Sequence, residues 1–139
     1  MYQATVAIEK AFVDHGLRCA AKETASLSFV ELNMTGDNTS VLIRFISTDN
    51  NNDVKVMTAD FAKFPQKKLA DGYELANELS REYKYMKFTI DNDGDMCAQY
   101  DFPVQISNEC LGPVALEILM RCAKIIDDCY PKVMKTLWG

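Results

Sequence analysis

The sequence predicts an α+β domain: a single antiparallel sheet of about five strands with helices packed on it, in the order α-β-β-β-α-β-β-α. Three observations carry this. Residues 86–102 alternate apolar and polar side chains on both sides of the turn Asp91-Asn92-Asp93-Gly94-Asp95. Residues 27–60 hold three further strand-like runs joined by Asn- and Gly-rich turns. Segments with apolar side chains three and four apart precede, separate and follow these runs.

Residues 2–15 read as the first helix, with Ala4, Ala7, Ile8, Ala11 and Phe12 on one face, Gln3, Glu9 and Lys10 on the other, and Gly16 placed to end it. A connecting passage, 17–25, follows, in which 17–21 can be extended. Strands are expected at 27–34, 39–47 and 53–60. The near-continuous apolar run Val41-Leu42-Ile43-Arg44-Phe45-Ile46 places the second of them centrally, and Val54, Val56 and Thr58 form one face of the third. The turns between them are Gly36-Asp37-Asn38 and Asn50-Asn51-Asn52, residues that tolerate left-handed backbone.

After a connector containing Pro65, residues 69–83 place Leu69, Tyr73, Ala76, Leu79 and Tyr83 on one helical face. Gly72 weakens this helix by about 1 kcal/mol relative to alanine, a cost that close packing on the sheet would explain. Met86, Phe88 and Ile90 then alternate with Lys87, Thr89 and Asp91. Met96, Ala98, Tyr100 and Phe102 alternate with Cys97, Gln99 and Asp101, until Pro103 ends the pairing. The last helix, 108–137, carries a stripe at Leu111, Val114, Ala115, Ile118, Cys122, Ile125, Cys129 and Val133. Gly112-Pro113 reads as a turn followed by a helix start, Pro131 should kink or interrupt the helix, and the apolar Thr136-Leu137-Trp138 needs a docking place or is itself a contact surface.

With 139 residues, 48% hydrophobic and 25% charged, the chain fits one domain over 1–139. A chain this long buries roughly two-thirds of its unfolded surface and needs no staple. The net charge of -5 lacks the basic footprint that phosphate binding requires, and Lys63, Lys67 and Lys68 are offset by Asp60 and Asp71, so nucleic acid is excluded as a partner. No leader-like start and no run of roughly 18 to 20 apolar residues is present, which gives the expectation of a cytoplasmic protein without a membrane partner. Cysteines 19, 97, 110, 122 and 129 form an odd set without a Cys-x-x-Cys pair, which argues against a disulfide framework or a zinc cluster. Cys122 and Cys129, seven apart, fit one buried stripe.

Candidate chemistry is sparse. The run from Asp91 to Asp95 tempts a calcium reading, but the twelfth position counted from Asp91 is Phe102 and strands flank the run, so a hairpin turn is preferred. His15, the single histidine, stands where a helix ends and suits a cap better than a base. A cysteine nucleophile requires Cys97 or Cys110 to meet His15 in space. Glu74, Glu78 and Glu82, four apart, describe a solvated helix face or the charged rim of a partner site. No catalytic, metal-binding or cofactor-binding residue is assigned, and no residue is assigned to a partner surface.

The segment Leu75-Ala-Asn-Glu-Leu-Ser-Arg-Glu82, the strand Met86-Lys-Phe-Thr-Ile90, the turn Asp91-Asn-Asp-Gly-Asp95 and the strand ending Tyr100-Asp-Phe102 resemble the YbjN-like family of bacterial proteins, described as sensory transduction regulators. The resemblance is strongest over 73–129. It implies the fold of type III secretion chaperones, dimerisation and a regulatory or protein-binding role, and it supplies no catalytic residues.

The function expected from these readings is a non-enzymatic protein-binding adaptor, regulator or chaperone-like module, working as a homodimer. A peptide can add to a sheet edge, or an apolar helix can lie in a groove. The alternatives are a small-ligand sensing domain and a thiol-dependent regulator or enzyme using Cys97 or Cys110.

Overall fold

The computed structural model describes residues 1–48, 53–104 and 108–139, with the side chains of 108 and 109 outside that description. The turn Asn50-Asn51-Asn52 therefore lies outside the described residues. The elements run α1 (Gln3–Asp14), β1 (Ala20–Glu23), β2 (Leu27–Thr35), β3 (Ser40–Thr48), β4 (Asp53–Thr58), β5 (Ala62–Lys63), α2 (Leu69–Glu82), β6 (Lys87–Ile90), β7 (Asp95–Pro103) and α3 (Asn108–Trp138), with a 3-10 turn, Gln66–Lys68, before α2. All strand pairs are antiparallel.

Among the described residues the sheet has seven strands rather than about five. The two additions are short: β1 pairs four residues with β2, and β5 pairs Ala62 and Lys63 with Met96 and Asp95. Gln99 pairs with both Met57 and Lys87, and Met96 with both Ala62 and Ile90, so β4 and β5 share one edge of β7 while β6 holds the other. β5 is thus β4 resumed after a break at Ala59 to Phe61. β3 pairs on both sides, as its apolar run demands.

Period-two alternation sends one set of side chains to a common face: Val30 and Leu32, Val41, Ile43 and Phe45, Val54 and Val56, Phe88, then Met96, Ala98 and Phe102 are all buried. Helices α1, α2 and α3 cover that face. α1 buries Ile8 and Phe12 against β2, β3 and α3, with Phe12 and Phe45 meeting edge to face at 5.2 Å; full burial of each such side chain is worth about 1.5–3 kcal/mol. The opposite face is open to water and carries ion pairs, Lys22 and Arg44 on Glu31 and Lys55 on Asp101. Among the described residues no helix is long and apolar enough to cross a membrane.

α1 ends as its glycine predicts. His15 is the C-cap, Gly16 takes φ +84°, and the Gly16 and Leu17 N–H groups donate to the Val13 and Phe12 carbonyls, a Schellman closure. In α2 the buried face is Gly72, Leu75, Ala76 and Leu79, and Tyr73 is half exposed, which corrects the stripe drawn through Tyr73. Gly72 explains the shift. A Cβ there would lie 2.8 Å from Ile90 Cδ1 and 3.0 Å from the Phe64 ring, so the helix approaches the sheet along its glycine and turns Tyr73 outward.

α3 is helical through both Gly112-Pro113 and Pro131, where a turn was expected at the first, and Pro131 does not break it. Gly112 lies against Ala11 of α1, where a side chain does not fit. At Pro131 the missing N–H deprives the Asp127 carbonyl of its helical donor, and Asn38 Nδ2 donates to that carbonyl instead, at 2.9 Å. The Asp127 carboxylate in turn accepts the N–H groups of Asp37, Asn38 and Thr39 at 3.1, 2.7 and 3.0 Å. The β2–β3 turn is thereby clasped to α3. Leu137 docks into the core while Trp138 remains exposed.

The β6–β7 connection is the hairpin turn that its sequence predicts. Asp91 Oδ1 accepts the N–H groups of Asp93 and Asp95, and Gly94 takes φ +87°. The Phe64 N–H donates to the Gly94 carbonyl at 2.8 Å, and a Cβ on Gly94 would run into the Phe64 carbonyl.

Two outcomes follow from these contacts. Gly94→Ala meets both an unfavourable φ and the Phe64 main chain, and should cost about 2–3 kcal/mol in urea unfolding; a loss below measurement error contradicts the packing. The Asp127 carboxyl is held below its ordinary pKa chiefly by the Asn38 N–H, then by Thr39 and Asp37. Its contribution is present above the unfolded value of about 3.9 and is lost as pH falls through the lower folded value. Asp127→Ala should therefore unfold more readily than wild type at pH 6, with the two curves converging as the pH falls through the lowered folded value.

Candidate binding groove

Between α2 and β6 the chain makes an uncommon turn. Tyr83 is extended, and Tyr85 takes φ +74°, the one non-glycine residue with positive φ among the described residues. A left-handed tyrosine costs about 1–2 kcal/mol in backbone energy. The turn delays β6 to Lys87, opposite Gln99, so the last residues of β7 extend past the end of β6.

That offset opens a groove of about 500 Å³ at the corner where β7 meets α3. Tyr85 meets Tyr100 edge to face at 5.5 Å, and Tyr100 stacks along Phe102 at 6.3 Å. α3 supplies the opposite wall from Pro113, Val114 and Ile118. Arg121 lies 5.3 Å from the Tyr85 ring centroid and is held at 2.8 Å by Glu117, one helical turn back. The result is a trough with aromatic and aliphatic walls and one ion pair at its rim. Beside it, Lys84, Arg121 and Lys124 surround a smaller depression of about 220 Å³.

A larger hollow, about 830 Å³, lies between α2 and the end of α3. Its walls are Lys68, Asp71, Glu74, Glu78, Lys132 and Lys135, and Lys132 is 2.9 Å from Glu78 and 4.0 Å from Glu82. Two members of the glutamate ladder thus hold a lysine across the helix pair. Lys132 answers Glu78 across this hollow and Lys68 donates to the Gly139 carbonyl, whereas the walls of the trough are chiefly rings, prolines and aliphatic side chains.

The remaining candidates are placed as follows. Asp91 and Asp95 converge with Asp60, from the break between β4 and β5, so that one carboxylate oxygen of each lies within 4.8 Å of the others. Lys63 stands 3.5 Å from Asp95 and brings a cation to the cluster from the chain itself. Burial first, then Asp95 and Asp91, push the Asp60 carboxyl above its ordinary pKa. Cys97 is buried on the open face of the sheet, 3.4 Å from the Thr89 hydroxyl, while His15 caps α1 on the helix side, so the sheet separates them. Cys110 is exposed in the first turn of α3. Cys122 and Cys129 lie in the core as the stripe predicts, and burial pushes both thiols up to about 12, which keeps them protonated.

None of the groove residues is singled out as a site by its sequence. Tyr100 and Phe102 read as core: Phe102 is buried, while Tyr100 is only partly so, at the place where the helices stop covering this face of β7. The available signal was Tyr85, an aromatic between a helix and a strand with no periodic role.

The raised Asp60 carboxyl sets a further expectation. A carboxylate whose folded pKa is raised leaves stability intact below about pH 3.9 and subtracts from it as pH rises through the folded value. Asp60→Asn, neutral at every pH, should raise the unfolding midpoint at pH 7 and leave it unchanged at pH 3. An equal shift at both values assigns the effect to something other than charge.

A family model described as "Putative bacterial sensory transduction regulator" matches residues 6–132, from within α1 to the last turns of α3. No curated protein and no solved structure matches the chain. With 6–132 of 139 residues covered, the chain belongs to the YbjN family.

Proposed function

We propose that the protein is a regulator that acts without catalysis, by holding a segment of another protein in the trough walled by Tyr85, Tyr100 and Phe102. The observation that carries this is the trough itself: three aromatic rings and two prolines form a concave apolar surface at a rim of charge, the composition that peptide recognition uses. The family's description as a regulator supports it. On this reading the chain is a single domain over 1–139 with the type III secretion chaperone-like fold, acts as a homodimer in the cytoplasm, and uses no metal or cofactor. A thiol mechanism fits less well, because Cys97 is buried away from His15.

A second reading is favoured by size. A trough of about 500 Å³ lies within the range of small-molecule cavities, and a planar apolar metabolite fits between Tyr100 and α3.

The test compares capture from native lysate by wild type and by Val114→Asp, which puts a carboxylate on the half-buried wall of the trough. Peptide binding predicts one stoichiometric protein retained by wild type and lost by the variant, with unchanged circular dichroism. Retention of the same protein by both moves the partner surface elsewhere. No captured protein, together with a metabolite that raises the melting temperature of wild type alone, selects the small-ligand reading.

A further inference from the structure

We infer that the partner segment is acidic: it sets an apolar side chain in the trough and, within two or three residues of it, a carboxylate in the adjoining depression beside Lys84. The inference rests on the protein-binding reading above and adds the chemistry that the partner must carry. Tyr85 and Arg121 line both hollows, the trough of about 500 Å³ and the depression of about 220 Å³, so the two are neighbours across one ring and one guanidinium. The Tyr85 ring is 5.5 Å from that of Tyr100 on the trough side and 5.3 Å from the Arg121 guanidinium on the other. Extended chain advances about 3.3 Å per residue, so two or three residues carry a guest from one hollow to the next.

The depression is cationic in a protein of net charge -5. Lys84, Arg121 and Lys124 line it against a single carboxylate, Asp128. Two of the three cations are answered from within α3: Glu117 holds Arg121 at 2.8 Å and Asp128 holds Lys124 at 3.1 Å, one helical turn apart in each case. Lys84 is not. It is exposed, and among the described residues its ammonium has neither an ion pair nor a hydrogen bond. Arg81, in the last turn of α2, and Lys87, which opens β6, are likewise exposed and unpaired, while Glu82 between them leans to Lys132 at 4.0 Å. Lys87 pairs with Gln99 and so points to the open face of the sheet, which leaves Lys84 as the free cation that the depression itself offers.

A carboxylate is the group this arrangement recognises. Glu117 takes Nε and Nη2 of Arg121 and leaves Nη1, so a guest anion beside Lys84 meets a free ammonium and a guanidinium with donors to spare, without displacing either carboxylate of α3. The net charge of -5 repels a polyanion, so the anion comes on a protein segment and not on a nucleic acid. The apolar part of the guest follows from the neighbouring walls, which are rings, prolines and aliphatic side chains. A guest with the apolar side chain alone leaves Lys84 unanswered, and one with the acid alone leaves the trough empty. Charge at such a rim selects among apolar segments that the trough would otherwise take alike.

The test selects heptapeptides from a random display library on immobilised full-length protein and compares wild type with Lys84→Glu and Val114→Asp. Lys84 is exposed, so its replacement leaves the fold intact, which circular dichroism checks. Wild type should enrich one large apolar residue with Asp or Glu within three positions of it. Lys84→Glu should lose the acid from that motif and bind the wild-type peptides about tenfold more weakly, and the preference for acid should shrink as salt rises from about 0.05 to about 0.5 M. An apolar motif without acid, or the same acidic motif from wild type and Lys84→Glu, overturns the inference and leaves the trough reading standing. A motif that survives Val114→Asp unchanged places the peptide elsewhere and removes both. No enriched motif also overturns the inference, and lysate capture that Val114→Asp abolishes then preserves the protein-binding reading. Free 3-phenylpropionate that binds more tightly than the selected peptides, with shifts at the Tyr85 and Arg121 amides of 15N-labelled protein, assigns the site to a small acid and overturns a protein source.

Discussion

The register of β7 is the constraint on which the rest of the structure depends. This nine-residue strand takes β4 and β5 on one edge and β6 on the other, so the alternation of its side chains decides what faces the helices, and the alternation of its amides decides which edge each bond serves. A slip by one residue would exchange Met96, Ala98 and Phe102 for Cys97, Gln99 and Asp101 in the core. The hairpin prevents it: Asp91 gathers the turn amides, and Gly94 seats its main chain against Phe64 where no side chain fits. The same seat holds β5 in line and brings the Phe64 ring under Gly72, so the strand's register also sets the approach of α2.

Three prolines and a glycine show how a local cost is offset at a distance. Pro131 leaves the Asp127 carbonyl without its helical donor, and the β2–β3 turn answers with the Asn38 side chain while the Asp127 carboxylate gathers the turn's own amides. The exchange satisfies groups on both elements and ties α3 to the β2–β3 turn. Near its start, Gly112 lets α3 close on Ala11 of α1, and Pro113 beside it faces the trough. Pro103 ends the pairing of β7 at the trough's other wall. α3 therefore keeps one long course through two helix breakers, tied at two places by residues that propensity alone counts against it.

Much of this was legible in the sequence. The alternation in β2, β3, β4, β6 and β7 and the stripe of α3 are periodic over many residues, and burial enforces the period. β5 was not legible and β1 only as a passage, 17–21, that can be extended, because two and four residues give no period, and their pairing is imposed by the neighbouring strands. Tyr73 was misplaced for a different reason: an aromatic at helical spacing looks like core, but the close approach of Gly72 rotates the buried face by about one position. The uninterrupted α3 was hidden by the distance in sequence between Pro131 and Asn38. The trough escaped for a related reason, since Tyr100 and Phe102 have the alternation of core residues, and Tyr100 is left partly uncovered beside a buried Phe102.

That early end is where fold and function meet. Had residue 85 kept extended backbone, β6 would run on to pair with Asp101, and the Tyr85 ring would point to the open face of the sheet instead of standing over Tyr100. Tyr85 instead takes a conformation costing about 1–2 kcal/mol, and its ring regains contact with Tyr100 on one side and Arg121 on the other. The contacts it makes with Tyr100 and Arg121 are available to a ring standing over the trough, so the position is held by the walls it helps to build. Backbone strain of this kind persists where surrounding structure over-determines it, and it collects at sites that clamp ligands. A residue that stops a strand and walls the space left open does both with one dihedral angle.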